Sequence, residues 1–560
     1  MRLDLIIRAG SILTMDEARP SAREMGVIGG RIVGFDEELA GCTADRVEDF
    51  GDATITPGFI DAHCHTTWWG LGLAALDLSP ARGLEELYAL LESEMLRLAD
   101  QPGVWLNGTG FNHKHHGGLF PDINRLDAIT GDRPLYLRHV SGHASITNTA
   151  TLALAGAFAG DFANPVGGAV VRDADGNFTG LVEESAQGLI QNLLLPYSVE
   201  QIIGALDAAT TRYAAEGITS FTEAGIGGGW IGHSPIEITA YQQALDTGRL
   251  HARAQLMPAL DALEEQTSHA ADAHGTGGGR GLGLGIRAGF GNEHLSLGPV
   301  KVFMDGSLLG ATAAVTEDYC GHQHNTGYLL DTPAQYLERV SSAYRSGWPV
   351  ALHAIGDAAI DLAIEIISGL QEKHGPNALP NRIEHFGIAR PDQVAAVARH
   401  GIAVTPQASF IGPLGDQFAQ LVGPEREGWL YRGASLLEAG VLAAGSSDLP
   451  VADNNVRRAM ASAVDRRTEK GRVLGGASEC LSPLEALRLY TVNAARATGQ
   501  FGDRGSLSRG KLADFVVLSE SPLETEDIAA LHVIGTFVGG EQSYCALTDS
   551  ALAADAPAAV

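Results

Sequence analysis

His63 and His65 stand two residues apart in the segment GFIDAHCH. On an extended chain that spacing puts both imidazoles on one face, where they can reach a single cation. Four further residues able to hold a metal or move a proton lie downstream: Lys301 in VKVFMDGS, His353 in PVALHAIGD, His385 in RIEHFG and Asp448 in VLAAGSSDLP. Lys301 sits within a mostly apolar run, where an unpaired ammonium is costly to bury. Each residue alone has a plain structural explanation. A strand-end histidine is commonly hydrogen-bonded scaffold, an Asp in GSSDLP suits a turn, and Lys301 could pair with a neighbour such as Asp305. Their ordered recurrence at the ends of short apolar runs points instead to one divalent-metal site. The five cysteines, Cys42, Cys64, Cys320, Cys480 and Cys545, are scattered without CxxC spacing, so a metal must be held by histidines and carboxylates.

The elements that would position these residues can be read between them. Eight short apolar or β-branched runs cover 58–65, 217–224, 251–259, 300–307, 349–357, 382–387, 402–408 and 441–450. They alternate with helical patterns, the signature of parallel βαβ units. The expected fold class is therefore α/β, a (β/α)8 TIM-type barrel, whose functional residues project from the C-terminal ends of its strands. The six residues above fall at such ends. Residues 70–200 are too long for one crossover, and their own strand-like and helical pieces mark an insertion after the first strand. Residues 1–57 and 500–547 carry strand-like runs with Gly-rich turns and are expected to form a small composite β-sandwich domain. Residues 58–499 then make the barrel with its insertion, and 548–560 a flexible tail.

Composition narrows the function further. With 560 residues, 45% hydrophobic and 19% charged, the chain is long enough for a large barrel with additions. No apolar run approaches the roughly 18 residues of a membrane span. The N-terminus MRLDLIIRAGSIL lacks the features of a secretory signal, so a cytoplasmic location and no membrane partner are expected. A formal charge of −29 repels phosphates, which argues against nucleic acid as a partner. Homo-oligomerisation is left open.

The segments TPGFIDAHCH, RPLYLRHVSGHASITNTATLALAG, VKVFMDGSLLGATAA, LHAIGDAAID, RIEHFGIA, GSSDLPV, SPLEALRLYTVNAARATG and GSLSRGKLADFVVL resemble the amidohydrolase superfamily. Within it they are similar to the YtcJ-like branch that includes N-substituted formamide deformylases. The resemblance implies that His63 and His65 bind a more buried metal and His353 and His385 a more exposed one. It implies that Lys301 bridges both as a carbamate, and that Asp448 is a ligand as well as the general base and acid. One or two zinc ions suit this nitrogen-rich set, with manganese, iron or cobalt as alternatives. The implied reaction is hydrolysis of a C–N bond, in an amide or N-substituted formamide, by metal-activated hydroxide.

Weaker assignments accompany these. His143, in VSGHASITN, matches a family motif and is expected to bind the substrate oxygen or leaving group, or else to anchor its loop. Asp357, in HAIGD, either orients His353 or is a helix N-cap. Trp68, Trp69 and Phe410 offer an apolar mouth for a small neutral amide, or else pack the insertion against the barrel. The cluster NHKHHGG, with His113, His115 and His116, reads as a solvated or pocket-rim loop. A single-metal deaminase of the same superfamily would lack the bridging lysine. A non-catalytic scaffold would have lost ligands, and here every position is filled.

Overall fold

Strands covered on both faces of a parallel sheet are usually near-continuous apolar runs; ITSFTEAGI is buried along its whole length although Thr219, Ser220, Thr222 and Glu223 interrupt its apolar residues. The computed structural model describes every residue except 102, 140–143, 166–167, 185, 230 and 547–560. His143 and the tail expected at 548–560 thus lie outside the described residues. Seven of the expected strands form: β1 Phe59–Cys64, β2 Ile218–Ile226, β3 Arg253–Pro258, β4 Val300–Phe303, β5 Val350–Ala354, β6 Arg382–His385 and β7 Ala403–Thr405.

They lie in two parallel ladders. One runs Leu295–Leu297, β3, β2, β1, and the other β4, β5, β6, β7. Isolated parallel bridges join Ala259 to Lys301 and Val404 of β7 to Ala443. The eighth run, VLAAGSSDLP, forms no regular strand. Its small residues allow close approach in place of a ladder: Ala62 N donates to Gly445 O at 3.2 Å, and a Cβ on Gly445 would lie 2.6 Å from the Tyr490 ring.

Helices follow the strands with conventional boundary chemistry. Pro333–Arg345 starts on a capping box in which Thr332 and Gln335 bond reciprocally, with Pro at the first turn. Asp357–His374 follows β5 and ends at Gly375. Among the described residues, no helix is long and apolar enough to cross a membrane.

Both ends of the chain share one eight-stranded sheet. Arg2–Asp16, Arg19–Ile28, Arg31–Phe35, Thr43–Asp49 and Thr54–Pro57 come from the start, and Phe515–Leu518, Val533–Val538 and Glu541–Cys545 from the end. The two sets meet where Phe515 pairs with Pro57 in antiparallel register. Ile7, Ile12, Val27, Ile55, Val517 and Phe537 fill its core, with the Phe515 and Phe537 rings stacked at 4.4 Å.

A buried ion pair fastens this sheet to the parallel strands. Arg253 of β3 donates Nε to Asp514 Oδ2 at 2.8 Å and Nη2 to Oδ1 at 3.0 Å, both side chains being 2–3% exposed. Removing one partner strands a buried charge, so Asp514→Asn is expected to cost about 3–5 kcal/mol of stability. Denaturant unfolding of the variant checks this, and an unchanged midpoint would contradict it.

The described residues divide into two compact units, Met1–Thr66 with those from Ala209 onward, and Thr67–Ala208. The second has a six-stranded sheet in the order Gly168–Arg172, Phe178–Glu184, Ala144–Thr147, Leu135–His139, Leu106–Phe111, Leu76–Asp77. Leu87 and Leu91 of helix Leu84–Arg97, Leu126 of helix Ile123–Thr130, and Phe111, Leu135 and Leu137 of the sheet form its core.

Candidate metal centre

Alternation along β1 places Asp61, His63 and His65 on one face. Asp61 ties this strand to the eighth run. Its carboxylate accepts from His63 N at 3.2 Å, from Ser447 N at 3.1 Å and from Ser447 Oγ at 2.5 Å. Backbone bonds from Asp448 N to His63 O and from His65 N to Leu449 O, 2.9 and 2.8 Å, complete the seam. Asp448 itself has φ of 56°, a left-handed conformation that Asp tolerates better than most residues. Held there, its Oδ1 lies 3.3 Å from His63 Nε2 and 3.2 Å from His65 Nε2. The donor atoms of these three buried residues all lie within 4.8 Å of one another.

The second ladder brings the remaining residues to the same place. Lys301 Nζ is 3.3 Å from His63 Nε2, and burial lowers its ammonium to about 8. The His385 ring is centred 4.8 Å from that of His63 and 4.4 Å from that of His353. Strict alternation would send Glu384 and His385 to opposite faces of β6. The positive φ of His385, 70°, breaks the alternation, so that both reach the same cluster.

Each of the later rings has one nitrogen committed. His385 Nδ1 meets Gln407 Oε1 at 2.9 Å, and Gln407 is itself fixed through Nε2 to Thr405 O and Ser446 Oγ. His353 Nε2 donates to Gly306 O at 3.1 Å, with Asp305 Oδ1 at 3.4 Å, and its Nδ1 is buried with no partner. Burial lowers His65 to about 4, His385 to about 3 and His353 well below its ordinary value. The rings are then neutral, the form that ligates metal. An orphaned, buried imidazole nitrogen is unfavourable in a dry site. Beside further imidazoles and a carboxylate, it fits a divalent transition metal.

A model of the Amidohydrolase family matches residues 46–544. The chain belongs to the amidohydrolase family. This amidohydrolase is 30% identical over 557 residues to Protein LONG AFTER FAR-RED 3 of Arabidopsis thaliana, which spans 97% of this chain and 91% of that one. It is 27% identical over 557 residues to the N-substituted formamide deformylase of Arthrobacter pascens, covering 97% and 98%. Among solved structures it resembles an uncharacterized metal-dependent hydrolase from Pyrococcus horikoshii OT3, with TM-score 0.75 at 23% identity over 94% of this chain and 99% of that one. Family and likeness together give the amidohydrolase a TIM-barrel-type α/β fold.

Not every residue singled out in the sequence reaches this cluster of the amidohydrolase. Asp357 does not orient His353. Nor is it the N-cap, which is Gly356; it is the first residue of helix Asp357–His374, and its carboxylate accepts from Thr316 N and Oγ1 and from Arg390 Nη1 at 3.0 Å. Asp305 is the carboxylate beside His353. It does not pair with Lys301; it accepts from the backbone N–H groups of Ala314, Ile355 and Gly356 at 2.8–3.1 Å, and burial still pushes it up to about 7. Phe410 offers no apolar mouth. At 3% exposure it packs edge-on against Tyr431 and Phe418, because a ring following β7 gains more from the core than from solvent. Trp68 and Trp69 lie half-buried in helix Thr66–Leu73, in the second unit. His113 in that unit bonds His139 Nε2 through Nδ1 at 2.8 Å, and His116 stacks on Phe111.

Three polar residues of the amidohydrolase site went unnoticed in the sequence: Asp61, Glu384 and Gln407. Signals for two were present. Asp61 extends the HxH spacing by one more step of two. Arg382 and Glu384 place opposite charges on one face of a four-residue strand that is buried throughout, which makes sense only as an internal ion pair. Gln407, in TPQAS, has no comparable mark.

Proposed function

We propose that this amidohydrolase is a metal-dependent hydrolase of a C–N bond, with His63, His65, Lys301, His353, His385 and Asp448 as ligands to one or two divalent ions. The observation that carries the proposal is the meeting of His63, His65 and Asp448 donor atoms within 4.8 Å, with Lys301 Nζ 3.3 Å from His63. Zinc is the leading ion on donor chemistry, with manganese, iron and cobalt compatible with the same set. When bound, such an ion polarises a carbonyl oxygen and lowers the pKa of the water it holds.

The chain's own residues supply the rest. The Asp448 carboxylate takes the proton from the attacking water and returns it to the departing nitrogen, so the amine leaves neutral or protonated. Lys301, lowered to about 8, is mostly protonated at neutral pH but has a far larger free-amine fraction than an ordinary lysine. That form adds to carbon dioxide with loss of a proton, giving a carbamate anion in place of a buried cation. Its position against His63 favours this reading over a single-metal deaminase. His143 is kept, on its motif alone, for the substrate oxygen or leaving group. We further propose that the two ladders close through the eighth run into one eight-stranded barrel, supported by the bridges at Ala443 and Lys301. Residues 1–57 and 500–547 are then a composite β domain of sandwich type, and the working location is the cytoplasm.

The substrate class proposed is a small neutral amide, with N-substituted formamides first. Support comes from the 27% identity to the Arthrobacter pascens deformylase across nearly the whole of both chains. A competition assay with the purified zinc-loaded protein tests it. Formate release from an N-benzylformamide-like compound is expected to exceed hydrolysis of charged amides and cyclic ureas. Preference for the charged or cyclic compounds would overturn the substrate assignment and leave the metal chemistry standing.

A further inference from the structure

Glu384 lies at the centre of a buried network that connects three strands of the site. Its Oε2 accepts from His63 Nδ1, from Thr405 Oγ1 at 2.9 Å and from Arg382 Nη2 at 3.1 Å, while Oε1 accepts from Arg382 Nε at 2.8 Å. Arg382 Nη2 also donates to Ala62 O at 3.1 Å, fastening the backbone of β1 beside His63. Arg382 and Glu384 are both fully buried. A carboxylate with this many donors around it has one orientation, and the ring bonded to it inherits that orientation. From these contacts we infer that Glu384 is a positioning residue for metal binding. It holds the His63 proton on Nδ1, so that Nε2 carries the lone pair and faces Asp448 Oδ1 and Lys301 Nζ, each 3.3 Å away.

This inference rests on the metal reading proposed above. It extends that reading to a residue that touches no metal, substrate or reacting atom. The competing explanation is that Glu384 only neutralises Arg382 and that His63 would be held equally well without it. Stability cannot separate the two, because losing Glu384 leaves the Arg382 charge uncompensated in either case. Metal affinity can. Carboxylates that accept from a ligating imidazole fix its tautomer and raise its basicity, and their loss weakens metal binding by about 10–100-fold.

The test uses the full-length protein in four forms: wild type, Glu384→Gln, the double variant Arg382→Met/Glu384→Gln, and Asp514→Asn. The double variant removes the stranded charge and keeps the experiment decisive if Glu384→Gln alone fails to fold. Asp514→Asn removes a buried ion-pair partner in the terminal sheet and serves as the stability control. Zn2+ affinity is read by competition with a chelating dye, and the coordination sphere by the visible absorption of bound Co2+. Glu384→Gln and the double variant are expected to bind Zn2+ about 10–100-fold more weakly than wild type, with an altered Co2+ spectrum. Asp514→Asn is expected to melt earlier yet keep wild-type affinity and spectrum. Wild-type affinity and spectrum in a folded Glu384 variant would overturn the positioning role alone, as would an equal loss in Asp514→Asn. Absence of Zn2+ binding by wild type would instead overturn the metal reading, and this role with it.

Discussion

Asp448→Asn is expected to lower turnover by at least about 10²-fold while leaving the chain folded, the lower range for losing a general acid or base. The carboxylate stands 3.2–3.3 Å from two imidazole nitrogens and has the geometry both to ligate and to shuttle a proton. An amide keeps the shape and one oxygen but does not accept the proton. Its backbone is fixed independently of its side chain, by the bond from Asp448 N to His63 O and by the Ser447–Asp61 contacts on the same turn. The variant is therefore expected to unfold near the wild-type midpoint. Steady-state kinetics with metal content measured on the same sample separate lost proton transfer from lost metal. Near-normal turnover would remove Asp448 from the mechanism.

Lys301→Ala is expected to lose most activity together with roughly one equivalent of metal, since a methyl group offers no donor. Lys301 is buried beside His63, and the Glu384 and Asp448 carboxylates favour its protonated form against burial. Conversion to a carbamate would replace that buried cation by an anionic ligand. Short carboxylic acids added to the variant are expected to recover part of the turnover by occupying the vacated position. Mass spectrometry of the intact, metal-replete wild type provides the complementary check. An unmodified lysine in a fully active enzyme would exclude the bridging role.

Much of the site was legible in the sequence because its chemistry sits in or just after short apolar runs that are themselves easy to read. His63, His65, Lys301, His353 and Asp448 each follow or interrupt an apolar run, and burial of that run fixes where its last residues go. His385 was found for the same reason, but the backbone turn that delivers it was not, because a φ of 70° at a histidine has no sequence signature. Asp305 and Asp357 show the opposite limit. Both follow the runs that supply Lys301 and His353, and spacing alone does not say which carboxylate turns toward the ring. The structure decides it: Asp357 is drawn to Thr316 and Arg390, and Asp305 to three backbone N–H groups and His353. Phe410 fails as a mouth residue because hydrophobicity specifies burial without specifying where. The terminal strands were recognisable from their alternation, but not the pairing of Thr54–Pro57 with Phe515–Leu518, a contact between residues more than 450 positions apart.

Metal content tests the central claim most directly. Elemental analysis of the purified full-length protein is expected to find one to two equivalents of transition metal per chain, falling sharply in a His63→Ala/His65→Ala variant. Thorough chelation is expected to abolish hydrolysis, and added Zn2+ to restore it. No metal in the wild type, together with activity unchanged by chelation, would contradict the assignment of His63, His65, Lys301, His353, His385 and Asp448 as a metal centre.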